Sequence, residues 1–317
     1  MVESGAFPVI FLMGPTASGK TDIAVELTRH MPMEIISVDS AMVYRGMDIG
    51  TAKPGKEVLE IAPHRLIDIC DPAESYSAAR FCEDALVEIS NIQSANRIPL
   101  LVGGTGLYFR SLEHGLSELP PADDGIRKTI EAEARESGWE VMHERLQMVD
   151  PGSAKRIHPN DPQRIQRALE VYYLTGKPLS EHFRADRNRK DLPFRPVKFI
   201  TCPNERDTLH ERIEKRYEWM LESGLVAEVE RLFQREDLHA GLPAMKMVGY
   251  RQIWSYLQGE LDYQEMKAQA VYATRQLAKR QLTWLRREEN CQWYTGDSAE
   301  ISGNLLKFLD NLTKNPA

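Results

Sequence analysis

Five strand-length apolar runs, at 9–13, 34–38, 66–69, 99–102 and 197–202, stand out from a chain that otherwise reads helical or polar. The first four alternate with helical patterns or loops. That alternation predicts a mostly parallel sheet covered on both faces. The interval before the fifth run reads differently. Residues 126–137, 139–149 and 162–175 carry helical periodicity, punctuated by Pro120-Pro121, Asp150-Pro151-Gly152, His158-Pro159-Asn160 and Thr175-Gly176-Lys177-Pro178. These turn signals mark out a small helical subdomain over 120–192, inserted into a core of 1–119 and 193–317. Beyond residue 203 helices are predicted near 205–222, 224–235, 246–258, 262–289 and 299–313. No internal repeat or low-complexity stretch interrupts the pattern.

The run at 9–13 leads straight into Gly14-Pro15-Thr16-Ala17-Ser18-Gly19-Lys20-Thr21, a full match to G-x-x-x-x-G-K-[ST]. Ile23, Ala24, Val25 and Leu27 follow with the spacing of a helix that buries one face. Strand, glycine loop and helix form the context in which this motif cradles phosphate. Inward-pointing N–H groups and the helix N-terminus supply partial charge, Lys20 supplies a full one, and Thr21 offers an oxygen suited to Mg²⁺. The fold class expected is therefore α/β, a P-loop NTPase-like parallel sheet core with an inserted α-helical subdomain and a helical C-terminal region.

Composition narrows the setting. No apolar stretch approaches the roughly 20 residues of a membrane span, and no basic segment followed by an apolar core opens the chain as a secretion signal. Cys70, Cys82, Cys202 and Cys291 are scattered without a C-x-x-C, which speaks against a zinc site or disulfide framework and suits a reducing cytoplasm. The net charge of −7 argues against a nucleic-acid partner until its distribution is read. Residues 271–287 hold Arg275, Lys279, Arg280, Arg286 and Arg287 with no acid. Between 155 and 190, Lys155, Arg156, Arg164, Arg167, Lys177, Arg184, Arg187, Arg189 and Lys190 outnumber the acids. Such patches let an acidic protein hold a polyanion, although a solvated helix face gives the same pattern.

Further chemistry gathers at the predicted strand ends. Asp39 follows the second run and is placed to face the P-loop, as a proton acceptor, a holder of metal-bound water, or a helix cap. Leu66-Ile67-Asp68 resembles a weak Walker B strand, or is simply structural. Gly103-Gly104-Thr105-Gly106 forms another strand-then-glycine turn, where backbone can approach a ligand and Thr105 can donate. Arg212 and Arg216, one helical turn apart, suit a pyrophosphate clamp or a salt-bridged surface. Residues 245–252 mix cation, aromatic and amide groups of the kind that stack on unpaired bases. Residues 275–287 read as a basic helix with an apolar stripe, suited to a phosphate backbone.

Taken together, GPTASGKT at 14–21, SVDSAMVYRGMDIGTAKP at 37–54, APHRLIDI at 62–69, LLVGGTGLYF at 100–109, HPNDPQRIQRALE at 158–170, MVGYRQ at 247–252 and ATRQLAKRQLTWLR at 273–286 resemble the tRNA dimethylallyltransferase, or tRNA isopentenyltransferase, family. The resemblance runs in order over nearly the whole chain. It implies transfer of a dimethylallyl group from dimethylallyl pyrophosphate to N6 of adenosine-37, beside the anticodon, in tRNAs reading codons that start with U. The P-loop would then hold the donor's diphosphate, not ATP. It further implies Asp39 as the acceptor of the N6 proton, with Thr16, Lys20, Thr105 and Arg216 on the pyrophosphate and Ser18 or Thr21 on Mg²⁺.

Contacts to the anticodon stem-loop are implied for Asp39, Ser40, Ala41, Met42, Thr105 and Arg127. The same holds for Gln163, Arg164, Ile165, Gln166 and Arg167, and for Lys246, Met247, Val248, Gly249, Tyr250 and Arg251. The last set is Lys279, Arg280, Gln281, Leu282, Thr283, Trp284, Leu285 and Arg286. The absence of a cysteine-rich end resembles the compact bacterial form, expected to be cytoplasmic, monomeric, free of the membrane and in need of no metal beyond Mg²⁺. Three rivals share the P-loop. A small-molecule kinase would turn over ATP. A nucleotide-gated RNA-binding module would leave Asp39 dispensable. An adenylate prenyltransferase would act on free nucleotides, against which the inserted domain and basic helices speak.

Overall fold

The computed structural model describes residues 8–115, 119–185, 192 and 194–314. These fall into two compact units, one made of the described residues up to Glu113 and from Leu192 onward, the other beginning at His114 and ending before Leu192. Arg187, Arg189 and Lys190 of the second basic stretch lie outside the described residues, as does the side chain of Arg184.

In the first unit the chain runs through β1 (Val9–Met13), α1 (Lys20–His30), β2 (Met33–Val38), α2 (Lys56–Ile61), β3 (His64–Arg65), α3 (Ala78–Ser94), β4 (Ile98–Gly103) and α4 (Gly106–His114). The second unit holds α5 (Asp124–Val149), α6 (Pro151–Ala154), α7 (Pro162–Thr175) and α8 (Leu179–Ala185). The first unit resumes with β5 (Pro196–Cys202), α9 (Arg206–Glu222), α10 (Leu225–Phe233), α11 (Tyr250–Leu257), α12 (Tyr263–Leu285), β6 (Cys291–Thr295) and α13 (Ser298–Lys314).

The strands form one sheet in the order β3-β2-β4-β1-β5-β6, every pair parallel. All five residues of β1 are buried, as a central strand covered on both faces requires. Its alternate residues divide the core. Val9, Phe11 and Met13 join Ile36, Val38, Leu101 and Ile200 under helices that contribute Phe81, Phe109, Tyr217, Leu225 and Leu285. Ile10 and Leu12 join Ile35, Leu100 and Phe199 under α1 and α13, through Ile23, Leu27, Ile301 and Leu305. Met13 lies opposite both Gly103 and Ile200, and Val38 opposite Gly103. Strands β1, β2 and β4 therefore end level, with β5 running two residues further, and the loops leave from one edge, where ligands bind in such sheets.

The strand expected at 66–69 does not form. Leu66 and Asp68 both have positive φ, 60° and 55°, which no strand accommodates. Asp68 instead pairs with Lys53 at 2.6 Å, so it is not a Walker B acid at a strand end. Strand β6 escaped prediction because its pattern is weak, with no residue fully buried. The helix expected from 246 begins only at Tyr250, since Gly249 holds a φ of 92°. Between 124 and 149 the two expected helices meet at Gly138, whose φ of 87° breaks the helical course.

The second unit packs Ile130, Met142, Leu146, Ile165, Leu169 and Val171 into its own core. Its helices are capped by Asp123, Asp150 and Asp161, each accepting a backbone N–H three residues on. Glu170 is wholly buried and takes hydrogen bonds from Arg127 and Arg167, at 2.8 Å each, and from Asp123 N–H. Burial works against its charge, but these donors hold its carboxyl below the usual range.

A second buried carboxylate organises the first unit. Glu228 of α10 accepts the N–H groups of Asp48, Ile49 and Gly50 at 3.0, 2.8 and 3.1 Å, and the Tyr250 hydroxyl at 2.6 Å. A side chain at Gly50 would collide with the Tyr250 ring, so only glycine lets the loop come this close. The loop after β2 is thus fastened to α10 and α11. Replacing Glu228 by Ala leaves three N–H groups and a hydroxyl without their acceptor. The expected cost is about 3–5 kcal/mol of unfolding free energy, read from urea denaturation. A loss below about 1 kcal/mol would show that water satisfies these donors instead.

Candidate active site

The loops leaving β1, β2 and β4 meet α9 and α12 around two adjoining cavities. The first, about 560 Å³, is bounded by residues 16–22, Asp39, His64, Gly104, Arg212, Arg216, Gln281 and Ser298, among others. The second, about 420 Å³, has a more apolar wall that includes Ile213, Tyr217, Met220, Met247, Leu277 and Trp284, with Lys246 and Arg280 also on it. Thr16, Ala17, Asp39, Thr51, Gly104, Arg216 and Gln281 line both. A polar, cationic chamber and an apolar one share a wall, and most of the predicted chemistry sits on that wall.

The P-loop has the strained turns its sequence calls for. Ala17 and Gly19 have φ of 62° and 85°, and a side chain at Gly14 would run into the Thr201 carbonyl. Lys20 folds back over the loop, donating to Pro15 O at 2.6 Å and reaching Ser18 Oγ at 3.4 Å. Burial brings its pKa down to about 7, with Asp39 opposing and Arg216 adding to the shift. Burial also lowers Arg216, again partly opposed by Asp39. Among the described residues Lys20, Arg212 and Arg216 form no salt bridge. Two cations thus lean on one carboxylate, an arrangement short of negative charge.

Asp39 is held in place by its neighbours. Its Oδ1 accepts Ala41 N–H at 2.8 Å and Met42 N–H at 3.4 Å, capping a turn and not a helix. Thr105 Oγ1 accepts Ser40 N–H at 3.2 Å, which ties the β4 loop to the β2 loop. Capping and exposure to both cavities coexist at Asp39. Ser40, Ala41 and Thr105 line the second cavity and Met42 the first.

Helix α12 comes closer than its sequence suggested. Gln281 Oε1 accepts Thr16 N–H at 2.8 Å, and its Nε2 donates to Gly104 O at 3.0 Å. A Cβ at Gly104 would strike Gln281, and one at Gly106 would strike the Trp284 ring. In the sequence these glycines suggest backbone that a ligand can approach closely. Much of that room is taken by α12, one turn of which presents both side chains.

The residues expected to touch RNA divide by burial. Lys246, Arg251, Lys279, Arg280, Thr283 and Arg286 are exposed, as are Gln163 and Arg164 in the second unit. Ile165, Tyr250 and Leu285 are wholly buried and serve the cores; the Tyr250 hydroxyl is bound to Glu228, so its ring is not free to stack on a base. Gly249 is buried beside it, while Met247 and Val248 face the second cavity. Leu282 packs against the core, Trp284 tilts against Phe109, and Gln281 bridges the two loops. Arg127 and Arg167 both pair with Glu170, leaving that cluster one net positive charge, and Gln166 bonds to Arg127 O and Glu131. Sequence reasoning missed Glu228 and Ser298, which belong to no recognisable motif, and gave no role to His64, although it lies within APHRLIDI at 62–69.

For a metal the two expected ligands are unequal. Ser18 Oγ is buried, faces the Lys20 ammonium, and lies against Gly14, a poor setting for a second cation. The Thr21 hydroxyl lines the first cavity with no hydrogen-bond partner among the described residues. Its hard oxygen fits Mg²⁺, which keeps most of its other ligands as water and phosphate oxygens. Among the described residues no cluster of three His, Cys, Asp or Glu side chains competes with it.

A diphosphate cradle at the edge of a parallel sheet, backed by an apolar chamber, places this chain among P-loop proteins that act on a second substrate. Residues 42–288 match the IPP transferase family and residues 7–71 the isopentenyl transferase family. The chain belongs to the IPP transferase family. It is 64% identical to a tRNA dimethylallyltransferase of Thioalkalivibrio sulfidiphilus over 88% of this chain and 87% of the relative. One from Coxiella burnetii is 54% identical, over 96% and 97% respectively. Among solved structures, a tRNA isopentenylpyrophosphate transferase from Bacillus halodurans superposes with a TM-score of 0.69 at 36% identity, covering 97% of this chain and 98% of that one. A eukaryotic dimethylallyltransferase acting on tRNA gives 0.76 at 26% identity, over 92% and 74%.

The lowered pKa of Lys20 has a measurable consequence. An anion in the cradle favours the ammonium, so above about pH 7 binding of Mg²⁺-pyrophosphate takes up a proton at Lys20. Affinity should therefore fall as pH rises through that value. Titration calorimetry in buffers of different ionisation heat reads the uptake directly. Lys20→Arg, which stays charged, should bind without that share of it; equal uptake in both would place the proton on the ligand.

Proposed function

We propose that this protein transfers the dimethylallyl group of dimethylallyl pyrophosphate to N6 of adenosine-37 in the anticodon loop of tRNAs that read codons starting with U. The observation that carries this reading is the wall between the two cavities, where Thr16, Asp39, Gly104 and Arg216 face both sides. A diphosphate on the cationic side and a base on the apolar side bring the allylic carbon and the exocyclic nitrogen together at Asp39.

The P-loop N–H groups, Lys20 and Arg216 bind the diphosphate and stabilise the charge that grows on it as the C1–O bond breaks. The N6 lone pair forms the new C1–N bond, and the N6 proton passes to Asp39, whose Oδ1 is already oriented by two N–H groups. Mg²⁺, held through Thr21, would supply further charge on the leaving diphosphate. The adenine must leave its stack to enter the second cavity, as enzymes acting on bases require. Exposed Lys246, Lys279, Arg280 and Arg286 are proposed to hold the stem-loop phosphates, and Gln163 and Arg164, exposed on the second unit, are proposed as tRNA contacts of that unit. Action as a monomer belongs to the same proposal. No described helix is long and apolar enough to cross a membrane, and a tRNA substrate suits the cytoplasm.

Incubation with Mg²⁺, unmodified tRNA and labelled dimethylallyl pyrophosphate, beside an ATP-only control, tests the reading. Label should enter tRNA at the adenosine next to the anticodon. Phosphate transfer from ATP with no labelled tRNA would sink it. Asp39→Ala should cut turnover about 10²–10⁴-fold, the usual share of a general base, with tRNA affinity little changed. Arg280→Ala should do the reverse, weakening tRNA binding and its salt dependence. Equal effects of both changes on both quantities would refute the division of labour.

A further inference from the structure

The Gln281 amide stands where a ligand of the P-loop belongs. Its carbonyl holds Thr16 N–H at 2.8 Å, and Thr16 is part of the loop whose N–H groups cradle phosphate. Its amino group holds Gly104 O at 3.0 Å, so one side chain clasps the loops after β1 and β4. Gln281 also lines both cavities, and it rises from the same helix that exposes Lys279, Arg280, Thr283 and Arg286. Two glycines allow the approach, since Gln281 fills the space of a side chain at 104 and Trp284 that of one at 106. A glutamine carbonyl is a neutral, weaker acceptor than a phosphate oxygen, yet it satisfies the same N–H.

We propose that Gln281 is a positioning residue that competes with the donor for the P-loop: its carbonyl holds Thr16 N–H until the donor arrives, and the incoming diphosphate displaces it. This rests on the reading of the first cavity as the diphosphate site. Displacement frees the Gln281 carbonyl at the wall of the second cavity, and the amide, still anchored on α12, then has only its bond to Gly104 O to give up before it can turn to a ligand there. There its paired acceptor and donor suit the edge of an adenine, the pattern that Gln and Asn side chains use on this base. Filling the donor site thereby prepares the acceptor site. The two ligands bind with positive coupling, and the donor favours the RNA as much as the RNA favours the donor. Of the other polar side chains on the shared wall, Asp39 is held by the turn it caps, Thr51 Oγ1 already donates to Met47 O, and Arg216 is a cation with no acceptor to offer Thr16 N–H.

The experiment uses the whole protein and inorganic pyrophosphate with Mg²⁺. Gln281→Met keeps the length and removes the amide. Its pyrophosphate affinity should rise, by about three- to tenfold if one neutral hydrogen bond no longer has to be broken. In the unmodified protein an anticodon stem-loop oligonucleotide should bind more tightly when pyrophosphate is present; in Gln281→Met that gain should vanish. Gln281→Glu, whose carboxylate is a stronger acceptor for Thr16 N–H, should bind pyrophosphate more weakly. A merely structural glutamine would lower affinity in the Met variant, so the sign of the change decides. Unchanged or weaker binding in Gln281→Met overturns the proposal. If that variant does not fold, Gln281→Asn, too short to reach Thr16, is read in the same way. Failure of the unmodified protein to bind pyrophosphate would instead overturn the diphosphate reading of the cavity itself.

Discussion

Helix α12 can lie against the loop after β4 only because positions 104 and 106 carry no side chain. That close approach decides the form of the site. It puts Gln281 between the two glycine loops and Trp284 over the start of α4, and it turns one open edge of the sheet into two chambers with a common wall. The helix has the means to hold its place. Asp262 and Glu265 form a reciprocal capping box at its start, and Leu285 at its end is buried in the main core. A substitution at either glycine would act first on this helix, and only through it on any ligand.

The charges show the same division between structure and work. Throughout the first unit buried or half-buried cations are matched: Lys53 with Asp48 and Asp68, Lys198 with Glu113 and Glu288, Arg235 with Asp71 and Asp237. Lys20, Arg212 and Arg216 are the exception, three cations around the first cavity with no salt bridge among the described residues. In a chain with a net charge of −7 partners were not scarce. Leaving these cations unmatched costs stability, and burial shows the strain in the lowered values of Lys20 and Arg216. An anionic ligand relieves it, which is why the unmatched charges mark the site more sharply than any single motif does.

What could be read from the sequence follows the range of the forces involved. The P-loop was legible because backbone turns, a lysine and a following helix are all local. The parallel sheet was legible because its strands are buried on both faces and read as continuous apolar runs. The segment at 66–69 misleads for the same reason: an apolar run predicts a strand, but Leu66 and Asp68 turn into the left-handed region, and the N–H groups of Asp68, Ile69 and Cys70 bond to the carbonyls of Met42 and Val43. Tyr250 misled in a different way. An aromatic beside lysine and arginine resembles a base-stacking platform, but its hydroxyl is claimed by Glu228 and its ring by the core. Nothing near Tyr250 in sequence announces a carboxylate 22 residues away.

The most consequential contacts are also the longest in sequence. Glu228 reaches back 178 to 180 residues to fasten the loop after β2, and Gln281 reaches back 265 to the P-loop. Both come from helices that follow the second unit in the chain, so neither the P-loop nor the 48–50 segment of the loop after β2 is complete until the C-terminal half has packed. The local motif therefore supplies the phosphate chemistry, while the distant helices supply the second chamber and its wall. A P-loop alone accounts for an anion held at a sheet edge. The acceptor side of the reaction depends on α9 and α12, where the sequence offered only a basic stripe and a pair of arginines.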